Sequence, residues 1–210
     1  MNKKVPIKSG IEHNRYAEEY DSLSRQFESY TSEIIFGLVF EYINSGEKLL
    51  DIGIGTGLSS FLFKKADLKI YGLDNSEEML KICRQKNIAS DLKFFDLNEN
   101  FLPYNDMEFH HVISVGVFHF FNNLENFFRE SYRILKKGGT FSFTVKDSDI
   151  RISSNYDNEW GITVYGHSDQ YIMELIQKYD FKPLKRLKFI TFKDLSKKNE
   201  TGFKAYVLMK

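Results

Sequence analysis

Apolar and polar positions alternate along the chain with two different periods. From about His13 to Ile43 the period is helical: Ile34, Ile35, Leu38, Val39, Tyr42 and Ile43 share one face, and Asn44-Ser45-Gly46 breaks the segment. Lys48–Ile52 is then an apolar run of strand length, passing through Gly53-Ile54-Gly55-Thr56-Gly57 into a helical stretch from Leu58 to Lys65. A second strand, Lys69–Leu73, ends at Asp74. Ser76 is placed to cap a helix from Glu77 to about Asn87, with two acids in its first turn and Met79, Ile82 and Cys83 inward. Leu92–Phe95 predicts a third strand, followed by a loop from Asp96 to Asp106, and His111–Val115 predicts a fourth. A long amphipathic helix follows, with Leu124, Phe127, Phe128 and Leu135 inward, and Gly138-Gly139 is expected to stop it. Thr140–Val145 alternates as a fifth strand. Lys146–Gly166 reads as a long loop. A helix begins near Ser168, with Ile172, Leu175, Ile176 and Tyr179 on one face, and Leu187–Phe192 and Phe203–Leu208 close the chain as two strands.

Strand and helix thus alternate five times before two tightly joined strands. The expected fold is α/β: a doubly wound, seven-stranded, mostly parallel sheet with one antiparallel strand, helices on both faces and an N-terminal helical cap. Such a sheet binds ligands at the carboxyl ends of its first strands, where strand order reverses.

Composition narrows this further. With 42% hydrophobic and 16% aromatic residues in 210, the chain can bury a sizeable core in one domain, which excludes intrinsic disorder. Lys plus Arg and Asp plus Glu are each 29, so a globally basic nucleic-acid binder is disfavoured. From Lys178 to Lys210 there are 10 basic against 3 acidic residues, a bias that lysines protecting edge strands explain. The single cysteine, Cys83, excludes an internal disulfide and Cys-based metal centres, and His110 and His111 at a strand start lack a third ligand, so no metal is expected. No apolar signal core follows Met1, and the longest greasy run, Ile34–Phe40, is too short for a bilayer. The expectation is a soluble, cytoplasmic protein.

The chemistry gathers around the glycine cluster. Glycines between a strand and a helix permit a tight turn and let backbone N–H groups approach a ligand. Leu58 stands where a dinucleotide fingerprint needs its third glycine, which disfavours a nicotinamide oxidoreductase. Asp74 ends the next strand about 20 residues after the first glycine, where a carboxylate accepts both ribose hydroxyls. Asp96, after the third strand, is placed to accept an exocyclic amine.

With these features the sequence resembles the class I S-adenosylmethionine-dependent methyltransferases. The resemblance runs through Leu49-Leu50-Asp51-Ile52-Gly53-Ile54-Gly55-Thr56-Gly57, Gly72-Leu73-Asp74-Asn75-Ser76-Glu77-Glu78-Met79-Leu80 and Phe95-Asp96-Leu97. It continues in Ile113-Ser114-Val115-Gly116-Val117-Phe118-His119 and Arg133-Ile134-Leu135-Lys136-Lys137-Gly138-Gly139. Two departures stand out: Ile54 is bulkier than usual, and His110-His111 replaces a common acid before the fourth strand.

The resemblance implies S-adenosyl-L-methionine as cofactor and S-adenosyl-L-homocysteine as product. Asp51 and the turn of Gly53, Gly55 and Gly57 would hold the methionine end, and Val115 and Gly116 would touch it through backbone. Asp74 would bind the ribose, Asn75 and Met79 would lie beside the adenosine, Asp96 would meet the adenine amine and Leu97 its ring. Tyr16, Tyr20 or Tyr30 would close over the carboxylate. The single domain divides into a helical cap (1–46), a cofactor-binding core (47–145), a lid-like loop (146–167) carrying Trp160 and Tyr165, and a C-terminal helix and strand pair (168–210).

Methyl transfer is an in-line displacement, and His119, His167 or Tyr20 are the candidate catalytic groups for an O or N acceptor. A small-molecule acceptor is expected. The alternatives are a catalytically silent cofactor-binding module that regulates a partner, or a methyltransferase acting on protein or RNA. Ser114-Val115-Gly116-Val117 lacks the Pro-Pro-aromatic segment that stacks a flipped base, which makes a nucleic-acid acceptor unlikely on the sequence.

Overall fold

The computed structural model describes residues 17–27, 29–157, 162–192 and 200–210. Its strands are β1 (Lys48–Ile52), β2 (Lys69–Asp74), β3 (Asp91–Phe94), β4 (Phe109–Ser114), β5 (Leu135–Asp147), β6 (Ile152–Asp157), β7 (Ile162–His167), β8 (Lys182–Phe192) and β9 (Glu200–Met209). Its helices are α1 (Tyr20–Gln26), α2 (Thr31–Val39), α3 (Phe61–Lys65), α4 (Glu77–Gln85), α5 (Glu125–Ile134) and α6 (Asp169–Lys178).

β1 lies mid-sheet because it is apolar on both faces; Leu49, Leu50 and Ile52 are fully buried. β2 and β4 flank it in parallel, and the order β3-β2-β1-β4-β5 places the reversal between β1 and β4. β9 runs antiparallel along β5, and β8 along β9. Two apolar layers cover the sheet. One joins Phe128, Phe141, Phe143 and Ile172 with α5 and α6; the other joins Ile35, Val39, Leu49 and Phe63 with α2 and α3. Among the described residues, no helix is long and apolar enough to cross a membrane.

The doubly wound α/β architecture is as expected, with two differences in its elements. The sheet has nine strands rather than seven. The extra pair, β6 and β7, is an antiparallel hairpin where a lid-like loop was expected over 146–167, and Tyr165 lies in it opposite Ser154. β7 then pairs in parallel with Lys146 and Asp147 at the end of β5. Lys146 is at once paired with Phe203 of β9, so β7 occupies the edge of β5 that β4 has left. Trp160 lies outside the described residues.

The second difference concerns Gly138-Gly139. α5 ends earlier, at Ile134, and Leu135 is already extended (φ −73°, ψ 140°). The glycines therefore lie within β5 and stop no helix. Gly138, at φ +77°, donates its N–H to the Lys210 carbonyl (2.9 Å), and Lys210 N–H donates to the Gly139 carbonyl (3.0 Å). Four residues of the basic C-terminal segment, Lys182, Lys185, Arg186 and Lys188, lie on the edge strand β8, and the last three pair with Glu41, Asp169 and Asp147.

Candidate active site

The turn after β1 is held by β2. Gly53 and Ile54 N–H groups both donate to the Leu73 carbonyl (2.8 and 3.0 Å), and Gly55 N–H donates to Asp74 Oδ2 (2.8 Å). Asp74 Oδ1 accepts from Ser76 N–H (2.9 Å), so one carboxylate braces both the glycine turn and the start of α4. Gly53 has φ +78°, and a Cβ there would lie 2.4 Å from Val117 Cγ2. Gly55 (φ +53°) and Gly116 (φ +72°) instead face open space and line a cavity of about 320 Å³. The bulk of Ile54 is accommodated by Gly72, where a Cβ would come within 2.5 Å of the isoleucine side chain.

Tyr20, Gly53, Gly55, Asp74, Asn75 and Met79 share this cavity with Leu97, Val115, Gly116 and His119. Other expected site residues stand elsewhere. Gly57 does not line it; a Cβ there would strike Ile88 (2.8 Å) and Cys83 (2.9 Å), so this glycine serves packing. Asp96 is exposed and its Oδ1 accepts from Asn98 N–H and side-chain amide (3.0 and 2.8 Å). Tyr30 is 59% exposed and is not part of the cavity lining. Tyr16 lies outside the described residues.

Asp51 sits beneath the turn, buried and behind the cavity wall. Its Oδ2 accepts from Ser60 Oγ–H (2.8 Å), while Oδ1 has no hydrogen-bond partner among the described residues. Burial pushes its pKa up to about 7, aided by the Asp74 charge and opposed by the Ser60 hydrogen bond.

The candidate catalytic groups separate clearly. Burial, reinforced by Asp21 and Asp74, raises the Tyr20 pKa, so this phenol is a donor rather than a base. His167 is fully buried and does not line this cavity; its Nε2 faces the carbonyls of Phe121 (3.0 Å) and Phe118 (3.3 Å). Burial holds its pKa low, so a neutral His167 donates to that short turn and is no proton acceptor for a substrate. His119, on the turn that His167 holds, faces the cavity with its ring 4.0 Å from Phe120 and edge-on to Phe203. His110 and His111 are engaged elsewhere: His110 Nδ1 accepts from Lys48 N–H (3.0 Å), and His111 bridges Glu47 (2.9 Å) and Thr140 (2.8 Å).

The sequence reading missed the far half of the cavity. Phe27, Ile162, Val164, Phe203 and Lys146 wall it, drawn from α1's end, β7, β9 and β5. The pairing of β7 and β9 with β5 brings the last four together.

The residues fit a cationic amino-acid nucleoside. Two glycines open the cavity floor, a braced carboxylate stands at the β2 end, and a buried carboxylate oxygen lies unpaired beneath. Residues 50–143 match the family model described as "Methyltransferase domain". Residues 50–143 are a class I S-adenosylmethionine-dependent methyltransferase domain. An uncharacterised protein of Methanocaldococcus jannaschii is 29% identical, the match covering 91% of this chain and 90% of that protein. A fatty-acid O-methyltransferase of Mycolicibacterium smegmatis is 27% identical over 67% of this chain, which spans 47% of that enzyme's length. Among solved structures, the methyltransferase of Haloferax volcanii in complex with the Trm112 methyltransferase activator superposes with a TM-score of 0.76. It is 18% identical, covering 96% of this chain and 97% of that one.

Proposed function

We propose that this methyltransferase modifies a small, largely apolar molecule at an oxygen or nitrogen. The observation that carries this reading is that one cavity is lined both by the glycine turn and by aromatic side chains, with the His119 ring against two of them, Phe120 and Phe203. The aromatic part is framed by the β6–β7 hairpin and the β8–β9 pair, a shape suited to a compact ligand rather than a folded macromolecule. The fatty-acid O-methyltransferase among the relatives supports an apolar acceptor.

S-adenosylmethionine supplies a methyl carbon already activated by its sulfonium, and S-adenosylhomocysteine is the product. In this reading Asp74 holds the ribose, Asn75, Met79 and Leu97 surround the adenosine, and Gly55, Val115 and Gly116 receive the methionine end through backbone. Tyr20, a protonated phenol, donates a hydrogen bond from the cap. Alignment of acceptor and methyl, with water excluded by α1 and the aromatic wall, contributes up to roughly 7–11 kcal/mol. His119 takes the acceptor's proton as the new bond forms.

Tritiated-methyl transfer to a panel of apolar alcohols, phenols, acids and amines tests this. Label in a small product is expected, with His119→Ala lowering kcat about 10²–10⁴-fold at little-changed cofactor affinity. Cofactor binding without transfer to any small molecule, or label found only in protein or RNA, would overturn the reading.

A further inference from the structure

We propose that the acceptor is an aromatic ring carrying a carbonyl oxygen opposite its nucleophile, and that the Thr191 and Thr201 hydroxyls bind that oxygen; this deepens the reading above and rests on it.

The last two strands set the pair. In the register of β8 with β9, Thr191 stands opposite Thr201 and Phe189 opposite Phe203. Directly opposed residues have Cβ atoms about 4.5–5.5 Å apart. Both threonines line the cavity, and strand alternation puts Thr201 on the same face of β9 as Phe203. Phe203, opposite Lys146, closes the pairing of β9 with β5. Thr201 lies one pleat, about 6–7 Å, past that point. The Phe203 ring meets the His119 ring edge-on at 5.8 Å and stacks on Phe189 at 6.1 Å. The hydroxyl pair thus stands one pleat away from the residue whose ring meets His119.

Other hydroxyls of the lining are engaged with one another: Ser29 with Thr31 (3.2 Å), Ser32 with Ser59 (3.3 Å) and Ser24 with Tyr20. Lys146, on the same wall as the threonines, has its own partner within the chain. The half-buried Thr191 and Thr201 hydroxyls have no hydrogen-bond partner among the described residues. A ligand that closes over them without an acceptor leaves two donors unpaired, which costs binding. One carbonyl oxygen, with two lone pairs, accepts from both. Phe27, Phe120, Phe121, Phe192 and Phe203 surround the space between, and such rings favour an aromatic body in offset or edge-on contact. A ring with para substituents brings its nucleophile to the His119 end and its carbonyl to the threonines.

The test uses the full chain saturated with S-adenosylhomocysteine. Calorimetry compares 4-acetylphenol with 4-isopropylphenol, which has a similar shape without the carbonyl oxygen. In the double variant Thr191→Val, Thr201→Val the ratio of the two affinities should move at least fivefold toward 4-isopropylphenol, and in Thr201→Val alone at least twofold. The double variant Thr191→Ser, Thr201→Ser, which keeps both hydroxyls, should stay within twofold of the wild-type ratio. S-adenosylhomocysteine affinity should change less than twofold throughout, which reports that each variant is folded. Smaller shifts in the valine variants, a serine variant that behaves like valine, or no binding of 4-acetylphenol to the wild type would overturn the proposal. Failure of the wild type to bind S-adenosylhomocysteine would overturn the methyltransferase reading beneath it, and label found only in protein or RNA would overturn the small-molecule one.

Discussion

Thr56, between two glycines of the turn, donates its hydroxyl to Asp21 of α1 at 2.5 Å, and Lys86 closes the triangle by pairing with Asp21 and reaching the Thr56 carbonyl (3.1 Å). α1 itself contains no buried residue, so this polar latch, with the side chains it sends into the cavity, holds the helix over the cofactor end. Asp21→Ala is expected to weaken S-adenosylhomocysteine binding about tenfold, near 1.4 kcal/mol, chiefly through faster dissociation. Stopped-flow release kinetics check this; an unchanged off-rate would remove the latch from the account.

Asp74 braces the turn, and in the proposed function it also holds the ribose. Asp74→Ala should cost about 1–3 kcal/mol of cofactor affinity, whereas Asp74→Asn, which keeps one acceptor, should cost less. Calorimetry on both folded variants decides between this and a purely structural carboxylate, for which the two substitutions would leave affinity alike.

The raised pKa of Asp51 makes stability pH-dependent in a definite direction. Between about 4, where the unfolded carboxyl titrates, and about 7, the folded chain keeps a proton that the unfolded chain has lost. The stabilisation is full below pH 4 and is lost as pH rises through 7, amounting to roughly 4 kcal/mol at most. Cofactor-free wild type should therefore lose stability relative to Asp51→Asn as pH goes from 5 to 8. Parallel melting curves across that range would contradict the assignment.

His167 shapes the site from behind it. His167→Leu should destabilise the fold by about 1–3 kcal/mol, because the buried Phe118 carbonyl and the part-buried Phe121 carbonyl lose their donor. Gln, which carries an amide N–H at similar reach, should recover much of the loss in urea unfolding. Equal damage from Leu and Gln would assign the effect to packing alone.

Two glycines give a contrast in one experiment. Gly53→Ala meets a positive φ and a side chain at 2.4 Å, and should lose about 1–2 kcal/mol from the backbone alone, with cofactor binding lost too. Gly37→Ala, inside α2 with nothing within 4 Å, should gain about 0.5–1 kcal/mol. Thermal melts of the two variants should move in opposite directions.

The glycine-turn half of the cavity was legible because its signals are local. A strand of fixed length, a glycine turn and an acid at the next strand's end declare themselves within 25 residues, as Gly53, Gly55 and Asp74 do. Local spacing does not place Asp96 and Gly57: Asp96 Oδ1 accepts from Asn98, and Gly57 leaves room for Ile88 and Cys83. The far half of the cavity was illegible for the opposite reason. Ile152–Asp157 is too polar to announce a strand, and its pairing with Ile162–His167 depends on a docking far along the chain. Lys146 and Phe203 become neighbours only when β9 returns antiparallel to β5. Gly138-Gly139 read as a helix stop because a strand that accepts a left-handed glycine looks, in one dimension, like a helix end.

Among the described residues, the hairpin pairs with β5 through Lys146 and Asp147, and its last residue, His167, holds the turn at Phe118–Phe121. A wall hung from so few pegs can be re-cut above them without dismantling the building. Repertoire, in such a molecule, is therefore separable from fuel: new hairpins could retune which compound is accepted while the floor beneath, with its glycines and acids, stays as it is.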